Sequence, residues 1–141
     1  MSERGLVLFV CLHGSAKSLI AAEFFNRLAV ASGLALRAAS AGTEPDDSVP
    51  AHVVAAMRSD GCDVSRYRPQ RLNREIATFA FAAITFEPDL SPYLPEGCPV
   101  ERWTVPAVSD GYAAARDAIR ERVERLITRL AAELRITGTQ Y

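Results

Sequence analysis

Excess charge of either sign is missing from this sequence: 16 Lys and Arg stand against 17 Asp and Glu, a formal net charge of −1. That balance gives no reason to expect nucleic acid or an anionic membrane surface as a partner. Long apolar runs are missing as well, so no segment reads as a bilayer span. Met1 to Gly5 leads straight into a strand pattern without the architecture of a signal peptide, and a cytoplasmic location is expected. Cysteine is scarce. The three, at positions 11, 62 and 98, have the spacing of neither a zinc site nor a disulfide framework, so no metal is expected and each thiol is judged by its surroundings. Internal repeats, linkers and low-complexity stretches are absent too. The 141 residues, 49% of them hydrophobic, suit one domain over 1–141 with a full core.

What is present is an alternation of strand and helix signals. Leu6 to Val10 is a continuous apolar run, as in a strand covered on both faces. Ser15 to Ser32 reads as a helix with Leu19, Ile20, Phe24 and Leu28 on one side, stopped at Gly33. Leu34 to Ala39 reads as a second strand and Ser40 to Pro45 as a turn. Pro50 opens a helix that ends at Gly61. Ala80 to Thr85 is a buried-type strand, Glu87 to Pro99 a proline-rich loop, and Val100 to Val105 a short strand around Trp103. From Asp110 to Ile136 runs the longest helix, with Ile119, Val123, Leu126, Ile127, Leu130 and Leu134 as its apolar stripe. This order predicts an α/β fold: a small, doubly wound, four-stranded parallel sheet flanked by helices, with ligands expected at the carboxyl ends of the strands.

The loop after the first strand carries the chemistry. It reads Cys11-Leu12-His13-Gly14-Ser15-Ala16-Lys17-Ser18 and leads into a helix. Such a loop aims several backbone N–H groups at one spot, and the helix dipole adds partial positive charge. A cysteine there is favoured as thiolate, the form that attacks. The loop is thus expected to hold a tetrahedral oxyanion over a nucleophile, with Lys17 and Ser18 as further donors. The plainer alternative makes Cys11 a small buried hydrophobe. A nucleotide-binding P-loop is another outline, but its two glycines would fall at Cys11 and Ala16, and both are missing.

These residues resemble the low-molecular-weight protein tyrosine phosphatase superfamily, which also contains arsenate reductases. The resemblance rests on Val10-Cys11, five further residues, a basic residue and Ser18, then Ala22-Glu23; on Ser40-Ala41-Gly42-Thr43; on Ile84-Thr85; and on Trp103 with Pro106. Thr43-Glu44-Pro45, Val49-Pro50, Gly61 to Ser65 and Arg68-Pro69 are more similar to the reductase branch. The resemblance implies a phosphotyrosine protein phosphatase I-like fold, Cys11 as nucleophile and residues 12–18 as the anion cradle.

The departures bear on activity. The family has arginine where this chain has Lys17; arginine forks onto two oxygens, whereas lysine offers a mobile point charge. Losing one well-aimed transition-state donor costs about 3–4 kcal/mol. Gly14 replaces an asparagine that braces the loop. Ala107-Val108 stand where the family has its aspartate-proline acid, whose absence is worth roughly a 10²–10⁴-fold rate loss. Asp110 either substitutes for that acid or caps the last helix. His13 either assists the chemistry or points to solvent.

The relay cysteines of thioredoxin-coupled reductases correspond to Glu87 and Ser91. Cys98 is then either a relocated partner thiol or an exposed loop residue, and Cys62 is structural. His52 reads as a surface residue. The arginines from Arg66 to Arg74, with Tyr67 and Gln70, either line a pocket rim or are simply solvated, and Tyr112 either flanks the pocket or packs its helix.

Three functions stay open. The chain is a phosphatase of impaired or altered catalysis, or a reductase of arsenate or a similar oxyanion using an external thiol such as glutathione or mycothiol, or a non-catalytic binder of phosphate, sulfate or a phosphorylated protein. None of them calls for a resident cofactor.

Overall fold

A computed structural model describes residues 5–138, with side chains described as far as residue 134. The strands are β1 (Leu6–Cys11), β2 (Arg37–Gly42), β3 (Ala80–Thr85) and β4 (Val100–Arg102). The helices are α1 (Lys17–Ala31), α2 (Ala51–Ser59), α3 (Arg74–Ala77) and α4 (Tyr112–Gly138), the last preceded by a 3-10 turn over Val108–Asp110. The strands form one parallel sheet in the order β2-β1-β3-β4. Cys11 pairs with Gly42, Val10 with Thr85 and Thr85 with Arg102, so all four carboxyl ends meet along one edge.

The central strand is apolar on both faces because both are covered. Val7, Phe9 and Cys11 point into the larger core, with residues of α1, α2 and α4 such as Phe25, Met57 and Ile119. Leu8 and Val10 point the other way, onto Leu72, Ala80, Ala83 and Leu90. This is the period of two in a strand's side chains. Trp103 sits against Phe9 and Phe86 with ring centroids 5.6 and 5.9 Å away, in tilted and edge-on arrangements that favour aromatic pairs. Among the described residues no helix is long and apolar enough to cross a membrane.

Several element boundaries differ from the sequence expectation. β2 runs over Arg37–Gly42, not Leu34–Ala39. Gly33 takes a positive φ of 67° and Leu34 N–H bonds back to Ala29 O at 2.8 Å, so Leu34 belongs to the exit of α1. Ser40, Ala41 and Gly42, expected in a turn, complete the strand. Helix α1 begins at Lys17, leaving Ser15 and Ala16 in the loop. β4 ends at Arg102, with one more ladder bond from Trp103 N–H to Thr85 O at 2.9 Å; β3 stops at Thr85, so nothing remains for β4 to pair with. Helix α4 starts at Tyr112 rather than Asp110. Asp110 closes the 3-10 turn by donating its N–H to Ala107 O at 3.0 Å, and Gly111 lies between it and the helix. Asp110 is therefore not the helix cap.

Candidate functional site

β1 delivers Cys11 to the carboxyl edge of the sheet, and the chain turns over Leu12–Ala16 before α1 begins. Cys11 is buried, 5% exposed. Its sulfur lies 3.2 Å from the N–H of Gly14, which donates to it, and 3.0 Å from Ser18 Oγ. Ser18 is buried and its Oγ is 2.7 Å from Ser40 Oγ on β2; Ser40 can in turn donate to Gly14 O at 3.4 Å. With Cys11 as thiolate, Gly14 N–H and Ser18 O–H both donate to sulfur, and Ser40 O–H then donates to Ser18 Oγ in place of Gly14 O. The first turn of α1 carries no acidic residue, and Ala16 at its N-cap makes no side-chain cap bond. The first N–H groups of the helix, which have no intrahelical acceptor, stay available to an anion.

The loop is fixed by backbone rather than by an asparagine. Gly14 has φ +64°, and a Cβ there would lie 2.8 Å from Gly42 N and 3.0 Å from Ala41 C. A Cβ on Gly42 would lie 2.7 Å from both Gly14 N and His13 C. The two glycines let loop and strand meet main chain to main chain. Glu44 N–H donates to Leu12 O at 2.8 Å and Asp46 N–H to His13 O at 3.1 Å, stitching the next segment to the loop. The expectation that Gly14 leaves the loop unbraced is corrected: the brace is this seam.

A cavity of about 380 Å³ opens above the sulfur. Cys11, Leu12, His13, Ser15, Ala16 and Lys17 line it; Gly14 and Ser18 lie beneath and hold the sulfur. Lys17 Nζ is 3.9 Å from Glu87 Oε1, an ion pair at the cavity wall. Ala107, Val108 and Ser109 form another wall, whereas Asp110 is exposed and is not among the lining residues. The sequence reading missed Asp46, Glu87 and His52 as lining groups. Asp46 accepts from Ser15 Oγ at 2.6 Å. His52 is exposed, as expected, but stands at the mouth. Contacts reaching across such long sequence separations have no local sequence signal. The order Cys-x-x-x-Ser together with an acid after the Ser-Ala-Gly strand was the nearest hint.

The 66–74 segment is a prop for β2 and not a pocket rim. Tyr67 Oη and Gln70 Nε2 both donate to Ser40 O, at 3.1 and 3.0 Å, and Arg71 donates to Thr43 O at 2.9 Å. Burial pushes the Tyr67 hydroxyl above its ordinary value, against its bond to Ser40. Tyr112 likewise lies off the cavity: its Oη donates to Asp60 Oδ2 at 2.8 Å, and Arg116 bonds Asp60 Oδ1 at 2.9 Å. Cys62 is buried in the larger core, where burial raises its thiol despite the adjacent Arg27. None of the three cysteines is in a disulfide. Cys98 Sγ faces the carbonyl oxygen of Ala80, the residue that pairs with Leu6, at 3.9 Å. Cys11 is at the other end of β1, about 16 Å away at a strand's rise per residue. A direct relay between the two thiols is out of reach in this conformation. Among the described residues no group of three His, Cys, Asp or Glu is arranged to hold a metal.

The comparisons with known proteins agree with this geometry. The thioredoxin-dependent arsenate reductase of Corynebacterium glutamicum has the same fold at a TM-score of 0.76 and 22% identity, over 91% of this chain and 62% of that one. This chain thus spans about three fifths of that protein's length. A low molecular weight protein tyrosine phosphatase from T. tengcongensis superposes at 0.78 with 22% identity, covering 88% of this chain and 98% of its own. The arsenate reductase of Archaeoglobus fulgidus is 30% identical over 86% of this chain and 98% of its own, at 0.69. Neighbours of this fold are solved with oxyanions: an arsenate reductase with phosphate, Vibrio vulnificus Wzb with benzylphosphonate and Escherichia coli K30 Wzb with sulphate. A comparison with curated protein sequences found no significant match. The sequence pattern described as low molecular weight phosphotyrosine protein phosphatase matches residues 6–84, more than half of the chain, and takes in β1, the Cys11 loop, β2 and nearly all of β3. By that match, and by its parallel sheet with a cysteine loop at the carboxyl edge, the chain belongs to the low molecular weight phosphotyrosine protein phosphatase family.

Proposed function

We propose that the 11–18 loop binds a tetrahedral oxyanion and that Cys11 attacks it, in a phosphomonoester hydrolysis slowed by the lack of the family's arginine and aspartate-proline acid. The observation that carries this reading is the sulfur's position at the cavity floor, between the Gly14 amide and the Ser18 hydroxyl. Substrate phosphate would meet the loop amides, the start of α1 and Lys17. A phosphorylated protein side chain presents the same group.

The test is p-nitrophenyl phosphate turnover by wild type and Cys11→Ser between pH 5 and 8, with phosphate-induced thermal shift on the same samples. Turnover abolished by the substitution supports the reading. Stabilisation by phosphate without turnover replaces it with a binding role.

One observation favours a second reading, oxyanion reduction with an external thiol. The wall at Ala107–Ser109 supplies no carboxylic acid, and Cys98 is about 16 Å along the sheet, so a second thiol must come from solution. In that reaction arsenate accepts two electrons from two thiols, one of them Cys11, giving arsenite, water and a disulfide. Thiol-dependent loss of arsenate, without ester turnover, selects it.

A further inference from the structure

We propose that His13 is the general acid and base of this site, in place of the carboxylic acid missing from the 107–109 wall. The assignment rests on the phosphoryl-transfer reading above. His13 lines the cavity that has Cys11 at its floor. Its Nδ1 lies 3.0 Å from Glu44 O. A carbonyl only accepts, so Nδ1 carries a hydrogen whether the ring is neutral or charged. Nε2 is then the nitrogen that gains and loses a proton. Asp46 Oδ1 stands 3.6 Å from the same Nδ1. Asp46 is itself held: its Oδ2 accepts from Ser15 Oγ at 2.6 Å and its backbone N–H donates to His13 O at 3.1 Å. Ring and carboxylate therefore fix one another across the seam between loop and β2. The other charged groups on the cavity are Lys17 and Glu87, paired with each other at 3.9 Å, and the second imidazole is His52.

The cycle balances. In the first step the Cys11 thiolate forms a P–S bond as the ester P–O bond breaks, and imidazolium Nε2 gives its proton to the departing oxygen. In the second, neutral Nε2 takes a proton from water as that water attacks phosphorus; the P–S bond breaks, phosphate leaves, and thiolate and imidazolium return. This is the division of labour expected of one group serving first as acid and then as base.

The test compares 2,4-dinitrophenyl phosphate, whose leaving group departs without a proton, with phenyl phosphate, whose leaving group needs one. His13→Asn keeps a donor where Nδ1 was and deletes Nε2. The rate of phenol release relative to dinitrophenol release should fall about 100-fold in His13→Asn. An equal fall for both esters would mark a structural role and overturn the assignment. A selective fall in His52→Asn but not in His13→Asn would overturn it as well, moving the acid to the other imidazole. If wild type releases neither phenol faster than Cys11→Ser, the phosphoryl-transfer reading fails and the acid assignment fails with it. An unchanged ratio in an active wild-type background sinks only the acid.

Discussion

Adding one methyl group at the seam between the Cys11 loop and β2 should cost about as much as truncating a core side chain. An ideal Cβ on Gly42 would sit 2.7 Å from Gly14 N, 2.7 Å from His13 C and 2.9 Å from Leu12 O, all main-chain atoms that cannot rotate aside. Gly42 has no positive φ, so Gly42→Ala isolates the contact; overpacking of this kind costs about 1–3 kcal/mol. Gly14→Ala adds the left-handed penalty at φ +64°, about 1–2 kcal/mol more, for a total near 3–4 kcal/mol. At about 3–5 °C per kcal/mol for a chain of this size, Tm should fall by roughly 10 °C or more in Gly14→Ala and by somewhat less in Gly42→Ala. Both methyls press on one seam, so the double variant should lose less than the sum. Because the Gly14 amide would turn from the sulfur, stabilisation by phosphate should shrink in parallel. Urea unfolding with and without phosphate reads both quantities. A Gly42→Ala protein within about 0.5 kcal/mol of wild type, its response to phosphate intact, would refute the seam as the brace.

Two further outcomes are expected. Lys17→Arg should raise kcat on an aryl phosphate by about 10²–10³-fold, since a fork replaces a point charge at the cavity wall, with little change in unfolding midpoint; an unchanged kcat would locate the limitation in the acid. Burial pushes the Glu23 carboxyl up, outweighing the pull of Arg27, so the folded protein binds that proton more tightly than the unfolded chain and ionised Glu23 costs stability. Glu23→Gln should therefore be the more stable protein at neutral pH. Its advantage should shrink as pH falls through the raised folded value and vanish below the unfolded value near 4.3, so a gap in urea midpoint that widens on acidification would contradict the argument.

The sheet, its parallel sense and the Cys11 loop were legible because they rest on local signals: the Leu6–Val10 run, the helical stripe from Leu19 to Leu28, and a basic residue followed by Ser18 at the start of a helix. The end of β2 was not. Ser40-Ala41-Gly42 looks like a turn because small residues are poor strand formers, yet they are small here so that Gly14 can touch the strand. Asp110 was misread for a similar reason: an aspartate before a helical run suits a cap, but Gly111 inserts one residue and turns it away. Asp46 and Glu87 acquire meaning only through Ser15 and Lys17, 31 residues distant in the one case and 70 in the other. No periodicity encodes such pairs. Tyr67 and Gln70 were noticed for their place among arginines, and their structural work is on the carbonyl of Ser40.

That work has a consequence for the thermodynamics of binding. Gly42 N–H bonds Gln70 O at 2.9 Å and Leu72 N–H bonds Gly42 O at 2.8 Å, so the strand beneath the cradle is clamped by a segment that never reaches the cavity. Ordering a free backbone costs on the order of 1–2 kcal/mol per residue, and a slack loop the length of 11–18 would set on the order of 10 kcal/mol against any anion that had to organise it. Here the conformational entropy is surrendered when the chain folds. On the proposed reading, an incoming anion would meet donors already aimed, and its entropy of binding would be that of shed water rather than of a tightening loop.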